Sequence, residues 1–167
     1  HPEHLVTYRR MLQETLGQDR FEAYMDRAYE AYREELKIYP PHCEYGTPGW
    51  QPTAVIAAAF ERLGDDLILI QKPTYRLVDG YVMKGPAALV GCTGAEVLEY
   101  LKEQGVEEAI VTGLITPVCV LAATESAVAA GFRVTVDERF VDSYDEESHR
   151  QGLERIAAAG GVVVPEP

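Results

Sequence analysis

The feature that most constrains this 167-residue chain is a short apolar run that stops at a glycine and restarts as a helix at a Thr-Pro pair. It reads Glu108-Ala109-Ile110-Val111-Thr112-Gly113-Leu114-Ile115-Thr116-Pro117-Val118-Cys119-Val120, continued by Leu121-Ala122-Ala123-Thr124. Ala109 to Thr112 is apolar and β-branched, long enough for a buried strand and too short for a helix of its own. Gly113 ends it. Thr116 stands where an N-cap belongs, and Pro117 takes the first helical position, which tolerates proline. Cys119 is then the third helical residue. Its sulfur lies near unpaired backbone N–H groups and the positive end of the helix dipole, both of which favour a thiolate. The turn also leaves backbone donors for a developing oxyanion. Position alone leaves two readings open: Cys119 as a nucleophile, or Cys119 as a small buried hydrophobe.

The rest of the chain alternates around that stretch. Leu5, Tyr8, Leu12 and Leu16, then Phe21, Met25, Ala28, Tyr32 and Leu36, predict two helices within a helical excursion over 2–37, broken at Gly17. The second stripe, flanked by Tyr24 and Tyr29, carries more aromatic surface than one domain easily covers, so a homo-oligomer is expected. Tyr39 to Trp50 is a loop rich in proline and glycine. Thr53 to Leu63 predicts an Ala-rich helix ending at Gly64, and Leu67 to Ile70 a buried strand. Lys72 follows at the strand's C-terminal edge, where open α/β sheets build their sites, although most lysines are simply surface residues. Arg76 to Leu89 reads as loop, with Tyr75, Val78 and Tyr81 as candidates to face a substrate. Thr93-Gly94-Ala95-Glu96 is a capping box for a helix to about Gln104. The helix after Cys119 runs to Ala130, Phe132 to Val136 is a strand, Ser143 to Glu146 caps a last helix, and Val162 to Val164 is a last strand. The alternation predicts one α/β domain over 1–167, a three-layer α/β/α arrangement with a mostly parallel sheet and helices on both faces.

Acidic residues outnumber basic ones 27 to 15, for a formal charge of −12, which argues against nucleic acid or an anionic membrane as a partner. No apolar run reaches the length of a membrane span, and no signal peptide opens the sequence. Three cysteines, an odd number, predict reduced thiols and a cytoplasmic location. Cys43 and Cys92 read as packing residues.

Gly-Leu-Ile-Thr-Pro-Val-Cys-Val, followed by Ala-Thr-Glu-Ser-Ala-Val-Ala-Ala-Gly-Phe-Arg-Val-Thr-Val, resembles the nucleophile segment of the isochorismatase-like cysteine hydrolases, which include the nicotinamidases. The resemblance implies Cys119 as nucleophile, a cis peptide at Leu114–Ile115, backbone N–H groups of Ile115 and Cys119 as the oxyanion hole, and Lys72 as second catalytic residue. Pro117 departs from the acidic or amide residue common there. Pro-Pro-His-Cys, followed by Gly-Thr-Pro-Gly, is similar to a nicotinamidase loop that supplies a metal-binding His. The opening His1-Pro2-Glu3-His4 resembles the end of an Asp-x-His-Pro segment that completes such a site. His1 and His42 are therefore implied ligands of one divalent ion, Zn²⁺, Fe²⁺ or Mn²⁺, with no organic cofactor.

The activity implied is hydrolysis of a small amide, nicotinamide first. The alternatives are isochorismate-like or carbamoyl substrates, or a catalytically inactive homologue that binds a small molecule. The family's first strand ends in an Asp, commonly within Asp-x-Gln, and no such segment stands here. Three explanations are open: an incomplete chain, a second polypeptide supplying the front part, or loss of catalysis. The first is expected, because losing a central strand would leave its neighbours' backbone unpaired. Asp65 and Asp66 precede their strand and so lie at the wrong end of the sheet to replace it.

Overall fold

The computed structural model describes residues 10, 12–35, 51–72 and 74–166, the side chains of 28–35 excepted. His1, His42, Cys43 and the loop 39–50 lie outside the described residues, as do the side chains of Tyr29 and Tyr32. The chain divides into two compact units, residues 1–74 with 80–92, and residues 75–79 with 93–167.

In the first unit, residues 12–16 are helical, Gly17 breaks the helix, and α1 runs Gln18–Glu35. Leu12, Leu16, Phe21, Tyr24 and Tyr81 form its core, with Met25 packed against it. Of the predicted stripes, Leu12, Leu16, Phe21 and Met25 thus face inward. For Phe21 and Tyr24, the aromatic surface expected to need a second subunit is covered within the unit itself. α2 spans Ala54–Leu63 behind Thr53 as N-cap residue.

The next two elements differ from expectation. β1 is Leu69–Gln71, and it pairs antiparallel with β2, Tyr81–Lys84, inside the stretch read as loop. Leu69 is 40% exposed, so the apolar run 67–70 is only half covered. A short run without periodicity does not say how many of its faces are buried, and a two-stranded ribbon covers little. β2 is further tied by Val82 N–H to Cys92 O and by Gly91 N–H to Val82 O, both at 2.9 Å.

The second unit carries the parallel strands. α3, Gly94–Glu103, opens on the predicted capping box: Thr93 Oγ1 accepts from Glu96 N–H at 3.1 Å, and Glu96 Oε2 accepts from Thr93 N–H at 2.6 Å. The close approach of Leu77 requires a glycine next to that cap, since a Cβ on Gly94 would stand 2.0 Å from Leu77 O. β3, Glu108–Ile110, pairs parallel with β5, Arg133–Asp137, which pairs parallel with β7, Val162–Val164. β4, Gly113–Leu114, pairs parallel with β6, Val141–Asp142.

The strand predicted to run from Ala109 to Thr112 and end at Gly113 instead ends at Ile110, and Gly113 opens β4. Val111 N–H still bonds Thr135 O at 2.9 Å, and Gly113, with φ 119, takes a backbone conformation that a side chain would oppose while pairing moves to β6. α4, Leu121–Ala129, and α5, Glu146–Ala158, complete the helices of this unit. Val120, Leu121, Val136, Val141 and Ile156 pack into one core cluster. Leu98, Ala127, Phe132 and Val134 form a second. A fully buried Val or Ile of this kind contributes about 1.5–3 kcal/mol relative to exposure. On the other sheet face Ile110 is 73% exposed. No helix among the described residues is long and apolar enough to cross a membrane.

Candidate active site

The C-terminal ends of β4 and β6 lie side by side, Leu114 opposite Asp142. The site is built on the segment directly after β4. The Leu114–Ile115 peptide is cis, at the bond the sequence resemblance marks. Thr116–Val120 then forms a single turn of π-helix before α4. Val118 N–H bonds Ile115 O at 3.0 Å, Val120 N–H reaches the same carbonyl at 3.3 Å, and Leu121 N–H donates to Thr116 O. Pro117 has no N–H to lose and fits this first turn. Cys119 sits in the wide turn, free of any disulfide and half-buried, so its sulfur is not sealed into the core. Val120 beside it is buried in the core cluster.

Two details differ from the sequence reading. Ile115, not Thr116, occupies the N-cap position, and Cys119 is the fourth residue of the turn. Thr116 makes no cap bond. Its side chain is 0% exposed, and its hydroxyl donates to Asp142 O at 2.9 Å and meets His149 Nδ1 at 2.8 Å. A Thr hydroxyl satisfies whichever partners the packing offers, and here tertiary partners displace the local cap.

His149 and Glu138 are the residues the sequence did not single out. Asp145 caps α5, its Oδ1 accepting Ser148 N–H at 2.7 Å, which places His149 on the first turn of that helix. Its Nε2 lies 3.7 Å from Glu138 Oε1, while Glu138 Oε2 accepts Glu166 N–H at 2.9 Å. The available signal was weak: a His four residues after an Asp N-cap, with partners 11 and 33 positions away.

The other predicted site residues are spread over both units. Lys72 directly follows β1 in the first unit, at the strand edge expected from sequence. Tyr75 is half-buried in the second unit. Tyr81 is 3% exposed in the first unit's core, its ring centroid 6.1 Å from that of Tyr24 at an interplanar angle of 52°. Among the described residues no group of three or more His, Cys, Asp or Glu side chains could hold a metal ion. Asp65 and Asp66 lie in the turn before β1, as expected.

A strand, a sharp turn carrying a partly exposed cysteine, and a helix is the local order of the family that the sequence resembles, and most of the chain agrees. The isochorismatase domain profile matches residues 18–166. The chain belongs to the isochorismatase family. Within that family, an uncharacterized isochorismatase family protein, PncA of Bacillus subtilis, is 28% identical over 137 residues, 82% of this chain and 68% of its own length. The pyrazinamidase/nicotinamidase of Streptococcus mutans has a similar fold, with TM-score 0.60 and 23% identity over 80% of this chain and 67% of that one. The pyrazinamidase of Pyrococcus horikoshii, solved in complex with zinc, gives TM-score 0.50 and 20% identity over 81% of this chain and 68% of that one. The isochorismatase fold thus accounts for the parallel strands of the second unit and for the turn that carries Cys119.

Proposed function

We propose that this isochorismatase-family chain is a cysteine hydrolase of a small amide, nicotinamide before others, working through a thioester on Cys119. The observation that carries the reading is the place of Cys119. It is partly exposed on the first turn after a parallel strand's C-terminal edge, where backbone N–H groups gather. In the reaction the thiolate attacks the amide carbonyl, and the N–H groups of Ile115 and Cys119 hold the oxyanion. Ammonia leaves, and water hydrolyses the thioester. Lys72 is the second catalytic residue on the resemblance. Of the two tyrosines, half-buried Tyr75 is proposed to face the substrate, whereas Tyr81 packs in the first unit's core. The carboxylate that would take the thiol proton is assigned to no residue, because no Asp-x-Gln segment stands in the sequence.

His1 and His42 are proposed to hold one divalent ion. Two imidazoles are borderline donors that suit Zn²⁺, Fe²⁺ or Mn²⁺, and a bound ion would supply a Lewis-acid contact to a substrate lone pair. A cytoplasmic homo-oligomer is part of the same proposal, and sedimentation velocity tests the assembly.

A second reading, a homologue that binds a carbonyl ligand without turnover, has one observation in its favour. No Asp-x-Gln segment stands in the sequence to supply the general base, and such help is worth about 10²–10⁴-fold. Ammonia release over a panel of nicotinamide, pyrazinamide, a carbamoyl compound and an aliphatic amide, with Cys119→Ala as control, separates the readings. Release from nicotinamide that vanishes in Cys119→Ala supports the hydrolase. Binding without release supports the second reading.

A further inference from the structure

We infer that His149 is a positioning residue for the Cys119 turn, acting through the buried Thr116 in a relay that runs from the half-buried Glu138 to the Asp142 carbonyl. The inference rests on the cysteine-hydrolase reading, and nothing in that reading requires His149. Glu138, His149 and Thr116 stand in the order carboxylate, imidazole, hydroxyl, which resembles a nucleophile with its base. Burial excludes that role, because Thr116 has no exposed surface and cannot meet a substrate.

Proton accounting gives the alternative. The Thr116 hydroxyl has one proton, and it is given to Asp142 O at 2.9 Å. His149 Nδ1, 2.8 Å away, must therefore carry the proton of the second bond and donate it to Oγ1. Nε2 is left facing Glu138 Oε1 at 3.7 Å, and Glu138 is itself fixed by Glu166 N–H. Thr116 is thereby held from two sides, by the end of β6 and by the first turn of α5, three residues before the sulfur.

A second observation makes α5 a platform and not a passing neighbour. A Cβ on Gly152, one turn further along α5, would stand 2.8 Å from Pro117 N and 3.1 Å from Thr116 C. The helix thus touches the backbone of the turn at Gly152 and bonds its side chain at His149. Removing the relay frees the turn to shift, and a shift of about 1 Å in a reacting group costs on the order of 10²-fold in rate.

The test compares His149→Ala, His149→Asn, Thr116→Val and Thr116→Ser in the full chain. Asn keeps a donor near the Nδ1 position, and Ser keeps the hydroxyl. Iodoacetamide labelling resolved by peptide mass follows Cys119, with Cys92 of the first unit as internal control. The relay predicts that His149→Ala and Thr116→Val slow Cys119 labelling by about fivefold or more while Cys92 labelling is unchanged, and that Asn and Ser restore it. On the amide substrate, kcat should fall by roughly 10- to 100-fold with KM within about twofold. Should the protein hydrolyse no amide, the labelling result decides alone. Should His149→Ala fail to fold, the Thr116 pair decides. Wild-type labelling of Cys119 in Thr116→Val, or no recovery in His149→Asn and Thr116→Ser, overturns the inference.

Discussion

Gly152 of α5 lies against Pro117 of the Cys119 turn so closely that an added Cβ would sit 2.8 Å from Pro117 N and 3.0 Å from Pro117 Cα. Both atoms belong to backbone that Thr116 holds from two partners, so the turn cannot give way as a flexible side chain would. Gly152→Ala adds about 0.5–1 kcal/mol of helix preference, but overpacking of this kind costs about 1–3 kcal/mol. The clash wins. The variant should melt lower than wild type and lose amide hydrolysis by more than its unfolded fraction explains. A variant as stable and as active as wild type would show that α5 does not brace the turn.

Thr93→Ala removes one half of the capping box at α3. The loss should be about 0.5–2 kcal/mol, read as a lower denaturant midpoint at unchanged m-value. Thr93→Ser should restore most of it. The substitution lies away from Cys119 in the chain, so activity per folded molecule should be unchanged. An Ala variant with the wild-type midpoint would contradict the capping role.

Acid should destabilise the second unit through carboxylates held in the folded state. Ser148, by its backbone N–H and then its hydroxyl, keeps the Asp145 carboxyl below its ordinary value of 3.8. Arg139 does the same for Asp137, ordinarily 3.8. Arg150, then Gln151, does so for Glu147, ordinarily 4.5. A depressed folded value means the unfolded chain takes up protons first, so the contribution is fully present above these ordinary values and is lost as pH falls through the lower folded ones. The melting temperature should hold steady down to about pH 5 and drop below about pH 4, less steeply in Asp145→Asn, which keeps a cap oxygen without the charge. Glu147 is exposed while the Asp137 side chain is only 14% exposed, so added salt should flatten the drop more for Glu147 than for Asp137. An Asp145→Asn variant with an acid limb as steep as wild type would contradict the assignment.

Lys72→Met keeps the length and apolar stem of the side chain and removes its charge. If Lys72 is the second catalytic residue, kcat/KM per folded molecule should fall by about 10²-fold or more. Wild-type kcat/KM in that variant would return Lys72 to the surface residue that its position alone allowed.

What the sequence made legible was local. The Thr93–Glu96 box, the Gly17 break, the last strand at Val162–Val164 and the order of strand, turn and helix around Cys119 all depend on neighbours within a few residues, and all stand in the structure. What it hid was set by distant partners. Thr116 has the look of an N-cap, yet its hydroxyl is taken by groups 26 and 33 residues away. Tyr81 stands in a stretch with turn-like spacing, yet pairing with β1 and packing on Tyr24 make it core. The wide π-turn cannot be told from an α-turn by spacing, because the two differ only in which carbonyl each N–H reaches.

The central claim is that Cys119 carries the acyl group during turnover. Its most direct test is to mix the protein with excess nicotinamide, quench in acid during steady turnover, digest, and weigh the peptide containing Cys119. Catalysis through a thioester predicts a fraction of that peptide heavier by one nicotinoyl group, absent without substrate and absent from the Cys92 peptide. Steady ammonia release that persists in Cys119→Ala, with no adduct on Cys119 in the wild-type protein, would contradict it.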